Sequence, residues 1–220
     1  MQFVFPLQKN RGYRFASLLT PFFIFVLFLT ACSKGSGDDD GDDDGPGRQV
    51  SEVVPAAYRE TLTSHGFRIN EGTTPPTVNG KFLISKYRFD YDNHREPGVY
   101  PSPGTFMDDL VITFANQQAD QSFSPSFGGG FLAGTTLEDP FITGSGNAFT
   151  ACFRVNIAGG SGGLFVYPFV YLISGTVEGE VLKNVKVAVV GLEDDTPDEF
   201  TVAGEVDLYS DADGTSPKTP

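Results

Sequence analysis

Phe149-Thr150-Ala151-Cys152-Phe153-Arg154-Val155-Asn156-Ile157 sets apolar side chains at every second position against polar or small ones. A period of two belongs to an extended strand, whose successive side chains leave opposite faces of a sheet. The same grammar recurs in Phe200-Val202-Gly204-Val206-Leu208, which alternates with Thr201, Ala203, Glu205 and Asp207. It recurs again at residues 182–191, where Val185, Val187 and Val189 share one face opposite Asn184 and Lys186. Further strands are expected over residues 82–91, 110–114 and 163–174, the last apolar on both faces but carrying Pro168, which argues for a bulge or an edge position. Weaker candidates cover 121–127, 131–136 and 141–143.

The punctuation between these runs is short: Pro101-Ser102-Pro103-Gly104, Gly128-Gly129-Gly130, Gly144-Ser145-Gly146-Asn147, residues 159–163 and residues 193–197. Strands joined by compact turns without intervening helices cannot make the crossovers of a parallel sheet. An antiparallel meander follows. Closing it into a barrel removes the exposed edges, so the expected fold is all-β, a small up-and-down barrel that resembles the lipocalin-like calycins, with a β-sandwich as the alternative. The chain has no Trp, so the Gly-x-Trp mark of many lipocalins is missing; Gly80-Lys81-Phe82 stands in the comparable place. One short helix precedes the strands. Pro55 suits its first turn, Tyr58 and Leu62 share a face, and Gly66 supplies a stop.

Outward from the strands, the amino terminus carries a different message. Lys9, Arg11 and Arg14 precede an uncharged run from Phe15 that closes in Leu29-Thr30-Ala31-Cys32. That pattern is a lipoprotein signal peptide over residues 1–31, cut before Cys32, whose thiol then carries lipid. Two or more acyl chains hold a protein stably at a membrane, each buried methylene contributing about 0.8 kcal/mol. Residues 33–47 contain six Asp, five Gly, two Ser, one Lys and one Pro, so they can bury nothing. Such a segment behaves as a self-repelling coil of roughly 20 Å. Asp38 to Asp40 and Asp42 to Asp44 lack the ligand order of a calcium loop. With Cys32, residues 32–47 form an acidic tether, 48–209 a single β domain, and 210–220 a flexible tail. Removing residues 1–31 takes away three positive charges and no negative ones from a chain already at −13. Nucleic acid is an unsuitable partner for so acidic a surface.

Three stretches carry a resemblance. Residues 66–82 (GFRINEGTTPPTVNGKF), 141–150 (FITGSGNAFT) and 173–176 (ISGT) are similar to segments of uncharacterised Bacteroidota surface lipoproteins. The acidic patch behind Cys32 likewise resembles the export signal that sends such proteins to the cell exterior. The resemblance implies an outer-membrane, lipid-anchored protein displayed at the cell surface, and it carries over no functional residues.

Sites of chemistry are scarce in the sequence. Gly159-Gly160-Ser161-Gly162-Gly163 matches the nucleophile-elbow pattern in letters, but strands flank it on both sides and the two His, His65 and His94, lie upstream. Two isolated His and the strand Cys152 do not make a zinc site. Cys152 also has no disulfide partner once Cys32 is acylated. Glu178 with Glu180, and the acids of residues 193–199, read as solvated loop charges, and Asp211-Ala212-Asp213-Gly214 is a lone calcium-like fragment in a polar chain end. No catalytic residues, cofactor or metal are expected. The excess of aromatic residues is more informative: Tyr87, Tyr91, Tyr167 and Tyr171 are candidate ligand-contacting side chains. The expected function is a non-catalytic binding module for a small apolar ligand or a glycan. The alternatives are a structural or interaction lipoprotein, an accessory subunit or adhesin touching another envelope protein, and, third, a hydrolase.

Overall fold

A computed structural model of the protein describes residues 47–93, 101–128, 137–159, 165–192 and 204–220, with side chains for all of these except 157–159 and 165–167. The lipobox, Cys32, most of the tether and the Gly159–Gly163 serine at 161 lie outside the described residues.

Helix α1 (Ala56–Ser64) begins after Pro55 and ends on Gly66, whose φ of +77° lets Gly66 N–H reach Thr63 O and Phe67 N–H reach Leu62 O. This paired closure is the glycine stop that the sequence signalled. The chain then enters eleven strands: β1 (Thr73–Thr74), β2 (Gly80–Ile84), β3 (Tyr87–Asp92), β4 (Leu110–Ala115), β5 (Ser124–Gly128), β6 (Leu137–Ser145), β7 (Ala148–Gly159), β8 (Phe165–Glu178), β9 (Val181–Gly191), β10 (Val206–Asp211) and β11 (Thr215–Thr219). They form one curled half-barrel sheet, so the fold is all-β.

The meander is clearest from β6 to β9. Two-residue turns at Gly146-Asn147 and Gly179-Glu180, with φ of +62° and +64° at the glycines, join antiparallel neighbours whose flanking pairs are Ser145 with Ala148 and Glu178 with Val181. β10 and β11 do not pair with each other. They run in one line along β9, β10 against Lys186 to Val190 and β11 against Val181 to Lys183. On the other side of that line, β10 pairs with β3 and β11 with β2. The segment read as one strand over 82–91 is thus broken at Ser85 and Lys86, opposite the break at residues 212–214. β9 shifts register at the same level, between Ser174 and Thr176 of its partner, around Asn184. Lys86, Asn184 and Gly214 all have positive φ, 53°, 52° and 71°. Three adjacent lines of strand therefore bend together, a crease of the kind that turns a sheet through a corner.

With those broken strands taken as single lines, neighbours follow chain order around the sheet except at the short β1, which pairs in parallel with β6, and the line containing β11 lies against the line containing β2. Between β5 and β6 the described residues offer a single bridge, Ser122 to Phe141. The expected flexible tail, residues 210–220, is a correction. It supplies the end of β10 and all of β11, the strand that joins β9 to β2. A stretch poor in large apolar side chains gave no period to read, and its order comes from backbone pairing on both sides.

Both faces of the central strands are covered. The concave face gathers Phe82, Phe114, Phe149, Phe153, Ile173, Val185 and Val187. The convex face gathers Val50, Val54, Leu62 and Phe67 over Cys152, Leu172, Ala188, Val190, Val206 and Leu208. α1 thus packs on the outside of the sheet. Residues 67–72 are pinned beside it by a buried polar network: Asn70 N–H donates to Thr150 Oγ1 at 2.8 Å, and Asn70 Nδ2 donates to Phe149 O and Ser174 Oγ, each at 2.9 Å. Pro168 lies in a central strand, one residue past the last β8–β9 pair, Phe169 with Gly191. Pro168 O still accepts from Leu192 N–H at 2.9 Å, so only the return donor of that pair is missing, at the very end of the ladder.

Candidate functional site

The concave wall made by β3, β8 and β10 concentrates tyrosine. Strand alternation places Tyr87 and Phe89 of β3, Tyr209 of β10 and Tyr171 of β8 on this one face. Tyr87 stacks on Tyr209 with ring centroids 4.9 Å apart and planes 17° off parallel. Phe89 leans on Tyr209 at 5.3 Å, and Tyr171 stacks on Phe153 at 5.7 Å. Tyr87 and Tyr209 stay half-buried, whereas Tyr171 is buried.

Acids rim this wall. Asp207 faces inward two residues before Tyr209, and Asp92 is its cross-strand partner on β3. Burial, then the charges of Glu205 and Asp92, push the Asp207 carboxyl up to about 7, against a smaller opposite pull from its hydrogen bond to Tyr209. Desolvation likewise raises Tyr87, Tyr171 and Tyr209 above the ordinary phenol range. Near neutrality, Asp207 can therefore both donate and accept a hydrogen bond, beside a stacked pair of phenol rings.

The four tyrosines singled out in the sequence do not converge. Tyr87 and Tyr171 reach the concave wall. Tyr91 lies on the other face, where it stacks on His65 at 3.6 Å beside the helix terminus. Register explains the difference, since β3 and β10 slip by one residue between Leu208 and Tyr209. The side chain of Tyr167 lies outside the described residues. Tyr209 and Asp207 belong to the wall and were passed over, because the face alternating with Val206 and Leu208 reads as solvent-facing. The signal was the aromatic at 209, which continues that alternation.

Two further features lie away from this wall. A groove of about 690 Å³ beside α1 is lined by Arg59, Glu60, Thr63, Ser64, Ile69 and Glu71 among others. Cys152 is buried on the convex face, and desolvation pushes its thiol up to about 12, so it holds its proton. Among the described residues, no group of three or more His, Cys, Asp or Glu could hold a metal ion, and no helix is long and apolar enough to cross a membrane. No protein-family model, curated protein or solved structure matches this chain.

Proposed function

We propose that this protein is a lipid-anchored component of the cell envelope, held by Cys32, whose half-barrel acts as a non-catalytic binding module for a glycan. The observation that carries the reading is the half-buried Tyr87–Tyr209 stack with Asp207 beside it. Aromatic faces pack on the apolar face of a sugar ring, and a carboxyl poised near neutrality bonds its hydroxyls in either protonation state. The small apolar ligand drops behind the glycan because Phe82, Phe114, Phe123, Phe149 and Phe153 occupy the concave core. The hydrophobic run, the lipobox and the acidic tether support the envelope address.

The absence of Trp makes tyrosine the dominant intrinsic fluorophore, so titration with soluble oligosaccharides is read directly in tyrosine emission. A saturable change in the wild type that is lost in Tyr209→Ala is expected. A wild type unmoved by a broad glycan panel would sink the binding reading. The interaction reading draws on one observation, the exposure of Phe106 and Met107 in the loop before β4. It predicts recovery of a neighbouring envelope protein from intact cells through that loop.

A further inference from the structure

The crease in the sheet brings together a pair of acids that neither the fold nor the tyrosine wall uses. Asp211 ends β10 and is only 6% exposed. Ser216 Oγ donates to its Oδ2 at 2.7 Å, while its Oδ1 has no N–H or O–H partner. Asp213, two residues on, lies with its carboxyl within hydrogen-bonding reach of the Asp211 carboxyl. Thr215 N–H donates to Asp213 Oδ1 at 3.2 Å, Ser85 Oγ to Asp213 Oδ2 at 3.5 Å, and Lys86 Nζ stands 3.7 Å away. The backbone fixes this approach: Gly214 N–H closes on Asp211 O at 3.1 Å, and Ala212 N–H reaches Lys86 O at 3.3 Å. Two carboxyls that face each other are tolerated only with a proton or a cation between them.

We propose that the turn at residues 211–214 takes up a calcium-class divalent cation, gripped by the free Oδ1 of Asp211 and the carboxylate of Asp213, with neighbouring hydroxyls and water completing the shell. Every donor is oxygen, which selects a hard cation over zinc or copper. With two carboxylates the site belongs to the weak class, with dissociation constants of about 10⁻⁴–10⁻³ M, the range of extracellular modules. Lys86 is exposed and serves as counter-ion to Asp213 when the cation is absent. Position gives the ion its use. It sits where the β2–β3 and β10–β11 lines break side by side, with Asn184 N–H on Gly214 O tying in β9, so binding staples the corner of the sheet.

Full-length protein in detergent, titrated with CaCl₂ at constant ionic strength, tests this through thermal unfolding and the amide resonance of Gly214. Saturating calcium, about ten times the dissociation constant, is expected to raise Tm by about 3–5 °C and to move the Gly214 resonance. Asp213→Asn, at an exposed position, and Asp211→Asn should abolish both effects. Asp213→Asn decides alone if the buried variant fails to fold. The Gly214 readout separates the turn from the six tether aspartates, which could bind calcium without touching it. No shift of Tm or of Gly214 up to about 10 mM calcium, where a site of this weak class would be filled, would overturn the proposal, as would an unchanged response in Asp213→Asn.

Discussion

Asp207 shows how little of a residue's environment its letter carries. In the sequence it is one acid among many on an apparently polar face; in the fold it points at Tyr209 from inside the curl of the sheet. Its carboxyl is pushed from 3.8 to about 7, so the folded chain holds a proton that the unfolded chain has released. Stability from this group is complete at pH below 3.8 and drains away as pH rises toward 7 and beyond, and the raised Asp211 carboxyl adds in the same direction. Asp207→Asn is expected to flatten this dependence and to stabilise the domain by about 1–2 kcal/mol at pH 8. Urea unfolding at pH 5 and pH 8 reads both effects. Gly144 is the opposite case, a residue whose demand is steric. At φ +149° an added Cβ would stand 2.1 Å from Ala148 O and 2.9 Å from Phe149 Cα, both backbone. Gly144→Ala should cost about 2–4 kcal/mol, measured in the same denaturation experiment.

At the scale of elements, legibility followed burial pattern. β4, β7 and β9 were read correctly because one face of each is fully apolar, and α1 because Pro55 and Gly66 bracket it. The 82–91 strand was found but its break was not, since Ser85 and Lys86 carry no strong turn signal and the bend is imposed by the neighbouring lines. β11 was missed altogether, as its sequence Thr-Ser-Pro-Lys-Thr has only pairing to hold it. The site was half legible: aromatic strands were visible, but which tyrosines share a face depends on a register slip that no single strand records. Residues 67–72 have no regular structure and depend on side chains instead. Asn70→Ala removes the two side-chain hydrogen bonds to β7 and β8, leaving Phe149 O and Ser174 Oγ without that donor, while the backbone N–H bond to Thr150 stays. A loss of about 2–3 kcal/mol is expected, and amide exchange should accelerate across 67–72 before the strands respond.

For the whole molecule, address and fold are separable. The described residues fall within the compact unit Asp43–Pro220, while Cys32 lies before it. Cys32→Ala should therefore release the protein from the membrane fraction with its β-rich circular dichroism unchanged, and mass spectrometry should find the wild-type cysteine acylated. Retention of the variant at the membrane would reverse that reading. The placement of β11 has a consequence for biogenesis. Until residue 219 has been synthesised, β9 and β2 both lack their neighbour, so the nascent polypeptide leaving the ribosome cannot finish its sheet. Under the envelope address proposed above, such a delay would keep the chain threadable for export.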